Sequence, residues 1–185
     1  MREGLSDLVR RVRLLVDDGT AGVWTDDELQ DFLDLHRVRV DREPLSMEET
    51  YVSSSSIEYK RYQSRFRDFE WGGTATFKVE DSAGSVRGTA EYTPDYVNGR
   101  VEMITDQGGS ALYLTAWSYD LNGVAAMLWK VRAGKVSGFY DFKADEHSMS
   151  RSQWFRHCLE MSSTYEKLAR ARTIRSWRVG DRRDA

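Results

Sequence analysis

The hydrophobic period changes twice along this chain, and that limits the fold more than any single motif does. Residues 5–16 place Leu5, Leu8, Val9, Val12, Leu15 and Val16 on one face, with Arg10, Arg11 and Arg13 elsewhere. Steps of three and four make this an amphipathic helix. From about residue 47 to 110 the period becomes two, and Tyr, Thr, Val, Ser and Phe dominate. Alternation of that kind belongs to strands with one buried face. From about 111 the helical spacing returns. The expected fold class is therefore α+β. Helices from both ends form one bundle, because two short helices alone cannot bury their apolar faces. An antiparallel β unit is inserted between them.

The stretch VDDGTAGVWTDDELQDFLD, residues 16–34, concentrates acids around two glycines. Read as a calcium loop of about twelve residues from Asp17, it places Gly22 at the sharp turn and Glu28 at the bidentate position. Gly19 and Ala21 then fall where oxygen ligands are needed, so the loop would hold calcium poorly. The other reading is a capping box. The Thr25 hydroxyl accepts from the Glu28 amide, and Glu28 reaches back to the Thr25 amide. Asp26 and Asp27 then complement the helix dipole in the first turn. The capped helix buries Leu29, Phe32 and Leu33 and ends before Pro44, with His36 near its end.

In the middle third, SSIEYKRY sets Ile57 and Tyr59 on one side. TATFKVE and SVRGTAEY read as two strands joined at DSAG, 81–84, the second alternating Val86, Gly88, Ala90 and Tyr92. YVNGRVEM carries Asn98-Gly99 between apolar alternations, a strong hairpin signal. A long helix is expected over 111–139, with Leu114, Trp117, Leu121, Val124, Leu128 and Val131 on one line. Tyr113, Ala116, Gly123 and Met127 form a second line. A helix apolar on two sides is central, facing its own bundle and a neighbouring subunit. Ser148 or Ser150 caps a last helix with the stripe Trp154, Cys158, Met161, Tyr165 and Leu168. The division is 1–46 for the first bundle helices, 47–110 for the β unit, 111–172 for the closing helices, and 173–185 for a basic tail.

Little in the sequence points to chemistry. There is one cysteine, Cys158, so no internal disulfide forms, and its place on the apolar stripe favours packing over nucleophilic use. His157 and Cys158 are adjacent and point about 100° apart on a helix. No zinc motif, phosphate loop or nucleophile elbow is present. Carboxylates are abundant, but a glycosidase needs two of them fixed across a cleft. No catalysis, metal or cofactor is expected. The net charge of −3 argues against a generic nucleic-acid binder. No apolar run reaches the length of a membrane span, and MREGLSDLVRR lacks a signal peptide's apolar region. The chain is expected to stay in the cytoplasm where it is made.

Two features remain. Asp120 lies between Tyr119 and Leu121 next to an apolar stripe. It either has a partner, an arginine or a capping amide, or fills a solvated gap. The tail carries Arg172, Arg175 and Arg178 among Ile174, Trp177 and Val179. Those apolar anchors favour docking on a partner protein over a plain solvated terminus.

The capped helix VWTDDELQDFLD, the hairpin YTPDYVNGRVEM, the stretch WSYDLNGVAAMLWKVRAGKV and the link YDFKADEHSMSRSQWFRHCLEM together resemble head–tail connector proteins of tailed bacteriophages. These are also called adaptor or head-completion proteins. The likeness rests on order and spacing, and is best over 5–36 and 93–165. It implies a structural virion protein made in a bacterial host's cytoplasm. A ring of copies, typically about twelve, sits under the portal protein at the head–tail junction. The ring extends the DNA channel and receives the next neck or tail protein, and double-stranded DNA passes without sequence-specific binding. The tail would reach the portal. Tyr113, Trp117, Asp120, Leu121, Val124 and Leu128 would serve the bundle helix and its subunit contact. Two rival readings are a tail-side completion or terminator protein and an aromatic β carbohydrate-binding module.

Overall fold

Fold class is mixed helix and sheet, as the two changes of period require. The computed structural model describes residues 1–19, 22–53, 56–136, 142–144, 147–149 and 151–170. Helix α1 (Ser6–Leu15) follows a short 3-10 turn and buries Leu8, Val9 and Val12. Helix α2 (Asp26–Leu35) begins at the expected capping box. The Glu28 amide donates to Thr25 Oγ1 at 3.2 Å, and the Thr25 amide donates to Glu28 Oε2 at 2.8 Å.

α2 stops at Leu35, well short of Pro44. Arg37–Pro44 forms strand β1 instead. The alternation RVRV sets this. Val40 turns into a core while Arg39 stays outside, and β-branched valines prefer the strand. Among the described residues the further strands are β2 (Ser46–Ser53), β3 (Ser56–Gln63), β4 (Phe77–Asp81), β5 (Tyr92–Asp95), β6 (Arg100–Met103), β7 (Leu112–Tyr119), β8 (Phe142–Ala144) and β9 (His147–Met149), which pairs with β8. One antiparallel sheet has the order β1-β7-β4, and a second has the order β2-β3-β6-β5. β1 and β2 are one bent ribbon. The pairing of β1 shifts between Val40 and Glu43, Arg42 takes φ 45°, and buried Leu45 donates its amide to Leu112. A strand that changes sheets through a bulge is the ordinary way to turn such a corner.

The expected helix over 111–139 is two elements. Leu112–Tyr119 is the central strand β7, and helix α3 runs only over Leu121–Val136. Leu114 and Trp117 match helical steps, but the run is short and rich in Tyr, Thr and Trp, where period alone cannot decide. Tyr113 and Trp117 are thus strand residues. Leu121, Val124 and Leu128 are helical and buried. The expected strand 85–92 is also absent. Val86 makes a single bridge to Glu80, and the Glu91 amide closes a turn onto Gly88. Asp81 supplies the DSAG turn by accepting the amides of Ala83 and Ser85. The hairpin at Asn98-Gly99 is present as the link between β5 and β6, its connection spanning residues 96–99.

Two cores result. One gathers Leu5, Val12, Trp24, Leu29, Leu33, Val124, Leu128 and Cys158 from α1, α2, α3 and α4 (Arg151–Leu168). The other gathers Val40, Tyr62, Phe69, Phe77, Val79, Val101 and Leu114 from the strands. β7 serves both. Leu112, Leu114 and Ala116 face the strand core, while Trp117 and Tyr119 join the helix core. The strands extend beyond the expected 47–110 at each end, through β1 and β7.

α3 and α4 run antiparallel, shown by Asn122 Nδ2 donating to the Leu168 carbonyl and Ser162 Oγ to that of Ala126. α3 is buried along most of its length between α4 and the first two helices. Of its second apolar line, Gly123 is buried and Met127 is exposed. Ser148 and Ser150 as caps of α4 concern side chains outside the described residues. On the α4 stripe, Cys158 is buried and Trp154, Met161 and Tyr165 pack against the helix core, but Leu168 is exposed.

Candidate interaction surfaces

Asp18, Asp26, Asp27 and Glu28 of the opening stretch are engaged by groups of the protein itself. Asp18 is buried, and its Oδ1 accepts the amides of Gly22 and Val23 at 2.9 and 3.0 Å. Oδ2 accepts the Trp24 amide at 3.1 Å and Arg13 at 2.7 Å. Arg13 also donates to the Trp24 carbonyl and to Asp26. The carboxylate's lone pairs are taken, and a guanidinium already supplies the positive charge. Arg13, expected off the apolar face, is buried as the loop's anchor. Among the described residues, no three His, Cys, Asp or Glu side chains group as metal ligands.

Of the two readings open for Asp120, the structure shows the partnered one. It precedes α3, and its Oδ1 accepts the Gly123 amide at 3.1 Å, a helix cap. Its Oδ2 accepts the backbone amide of Arg170 at 2.9 Å. Arg170 then spreads its guanidinium over the loop before β4. It donates to Ser118 Oγ at 2.5 Å and to the Arg67 carbonyl at 2.7 Å, and lies 3.7 Å from Asp68. Burial pushes the Arg170 pKa below its ordinary value. Asp68 also pairs with Arg11 at 2.6 Å, so its carboxylate joins α1 to the segment just after α4, while its backbone carbonyl accepts the Tyr119 amide of β7. Asp68 sits at φ 61°, a conformation Asp tolerates better than most residues.

A second cluster lies nearby. Buried Tyr119 donates to Glu70 Oε2 at 2.6 Å, and Arg2 reaches Tyr119, Glu70 and Asp34. Burial, and the bond to Glu70, push the Tyr119 hydroxyl far above its usual range. The cluster ties the N-terminus to the strands. Cys158 lies fully inside the helix core, where burial raises its thiol pKa. His157 stacks on Trp154 and meets Trp129 edge-on. His36 flanks Gly123, where an added Cβ would come within 2.7 Å of its ring. His147 has its side chain outside the described residues.

The outer face of the β1-β7-β4 sheet is basic and aromatic. Arg37 and Arg39 lie 4.6 and 5.5 Å from the Trp117 ring, and Arg42 lies 5.1 Å from that of Tyr113. Lys78 stands opposite Thr115 on the same face. Asp34, Asp41 and Glu80 border it. This cluster was not foreseen, although RVRV carries its signal. Tyr113 and Trp117 contribute here as strand residues. Leu121, Val124 and Leu128 are internal to the helix core and offer no outer surface. The tail residues Arg172, Ile174, Arg175, Trp177, Arg178 and Val179 lie outside the described residues.

A cleft of about 410 Å³ opens between α1 and the β5-β6 turn, lined by Arg11, Trp71, Pro94, Tyr96 and Val97 among others. Its cation, Arg11, is already matched by Asp68. Among the described residues, no helix is long and apolar enough to cross a membrane. Comparison with protein-family models, with curated proteins and with solved structures gave no match.

Proposed function

We propose that this chain is a head–tail adaptor of tailed bacteriophages. It acts as a structural ring subunit between the portal and the next neck or tail protein. The ring, typically of about twelve copies, continues the DNA channel and performs no catalysis. The finer fold that goes with this reading is a helical bundle from both chain ends carrying an inserted β unit.

One observation carries most weight. Helices from the first 35 residues and from 121–168 share one apolar core, and the buried apolar side chains of the strands, Tyr119 apart, pack into another. That division supports a bundle serving as a docking body with a strand unit free for a separate contact. The Arg170 clasp adds to it. A basic, Trp-containing tail begins directly after a residue held by Asp120, Ser118, Arg67 and Asp68. A tail that starts from a fixed point loses less freedom on docking than one that starts from a frayed helix end. α3 turns most of its side chains into its own core but leaves Met127 and Lys130 exposed, so ring contacts have these positions and other faces to use.

The test is electron microscopy of particles from the parent phage with this gene disrupted. Filled or leaking heads beside separate, complete tails are expected. Normal infectious virions would end the proposal.

A further inference from the structure

The β2-β3 pair outruns the sheet that carries it. Its third strand, β6, pairs only with Arg61, Tyr62 and Gln63. The loop after β6 supports the ribbon as far as Tyr59, whose amide donates to Asp106 and whose carbonyl accepts from Gln107. From Thr50↔Glu58 through Tyr51↔Ile57 to Ser53↔Ser56, the two strands bond only to each other among the described residues. A two-stranded ribbon is at best marginal in water.

The ribbon nonetheless displays apolar side chains. Tyr51 is 71% exposed and Ile57 39% exposed, and they are direct cross-strand partners on one face. Tyr59 follows Ile57 on that face by strand alternation. The hydroxyls of Tyr51 and Tyr59 both approach Glu49, at 3.3 and 3.5 Å. Glu49 and Asp106 lie beside these aromatics, while Lys60 is matched by Glu58 at 2.8 Å and Arg61, opposite Glu48, by Glu102 at 3.5 Å. An aromatic face with acids around it has its complement on the same chain: the outer face of β1-β7-β4, where Arg37, Arg39, Arg42 and Lys78 around Trp117 and Tyr113 outnumber the bordering Asp34, Asp41 and Glu80.

We infer that the β2-β3 ribbon of one copy docks on the β1-β7-β4 face of the next. The patches differ, so the contact is head-to-tail and repeats around a closed ring. Opposite charge selects the partner and fixes register, and the aromatic pairs supply the dry contact. The inference rests on the adaptor reading, because it needs neighbouring copies in a ring.

The experiment puts Tyr51→Cys and Arg39→Cys together into the phage and oxidises purified particles. Native Cys158 is buried and stays silent. A ladder of linked copies on a non-reducing gel is expected from the double variant and from neither single one. The protein present in particles at wild-type amount but running as a single band would overturn the ribbon contact and leave the adaptor reading standing. Its absence from wild-type particles would overturn both. Charge reversal is a second measure independent of cysteines. Glu49→Lys and Arg39→Glu should each lower the yield of infectious particles by roughly tenfold, and their combination should recover much of it. Unchanged yield in both single variants would also overturn the contact.

Discussion

The carboxylate of Asp120 joins the start of α3 to the end of α4: one oxygen accepts the Gly123 amide and the other the Arg170 amide. Asp120→Ala removes both bonds, and loss of a cap alone costs about 1 kcal/mol. A destabilisation of about 2 kcal/mol is expected in urea unfolding. Asp120→Asn keeps an oxygen for Gly123 and should cost less. Equal, negligible effects would mean that the cap contributes nothing. The same contact decides where the tail should be cut. A chain ending at Arg170 keeps the clasp and should fold fully while losing portal binding. A chain ending at Leu168 should lose both binding and about 1–2 kcal/mol of stability. Portal pull-down with each truncation checks this, and retained binding would remove the tail's role.

Arg13 and Asp18 form a buried pair completed by three backbone amides. Removing one member of such a pair strands the other charge, at a cost of about 3–5 kcal/mol. Asp18→Asn is expected near the lower end, since an amide oxygen still accepts from the loop. Arg13→Met is expected near the upper end. Calorimetric titration of the wild-type chain with calcium should show no tight site. A micromolar or tighter site would mean that the loop opens to receive the ion.

How far the sequence reached is clear from these elements. The capping box at Thr25 and Glu28 was legible because both partners lie within one helical turn. For Asp120 the sequence left a partner and a solvated gap equally open, and the partner's identity was out of its reach. Arg170 lies fifty residues on, and only the fold of α3 against α4 brings it there. The β7 strand was missed because its apolar residues fit a period of two and steps of three and four equally well. Arg37 and Arg39 looked like the end of a helix, so the basic face that the RVRV alternation builds with Trp117 was not read from it. Where the period was long and consistent, as in α1, the helix and its buried face were read as found. The exception is Arg13, whose partners come from the following loop.

Gly99 and Gly134 should respond to alanine in opposite ways. Gly99 sits at φ 73° in the turn after Asn98, and a Cβ there would lie 2.1 Å from the Phe66 carbonyl oxygen. The left-handed backbone alone costs an alanine about 1–2 kcal/mol, and the clash with fixed backbone adds to it. Gly134 lies inside α3, where a Cβ meets nothing within 4 Å. Gly134→Ala should stabilise by about 0.5–1 kcal/mol through helix propensity. Thermal unfolding of the two variants checks the pair. A Gly99→Ala protein as stable as wild type would show that the turn relaxes freely.

The β5-β6 turn should weaken in acid through one residue. Asp95 accepts the Asn98 side-chain amide at 2.7 Å and the backbone amides of Asn98 and Val97 at 3.0 and 3.1 Å. The Asn98 side chain first, and then these amides, hold its pKa below the ordinary 3.8. A carboxylate with a depressed folded pKa stabilises fully above its unfolded value. That contribution is lost as pH falls below 3.8 and through the lower folded pKa. The backbone amides of Val97 and Asn98, followed by NMR through an acid titration, should therefore shift with a midpoint under 3.8. In Asp95→Asn, that transition should vanish. A midpoint at or above the ordinary value would mean that the three bonds favour the protonated acid no less than the carboxylate, and the turn would owe nothing to this charge.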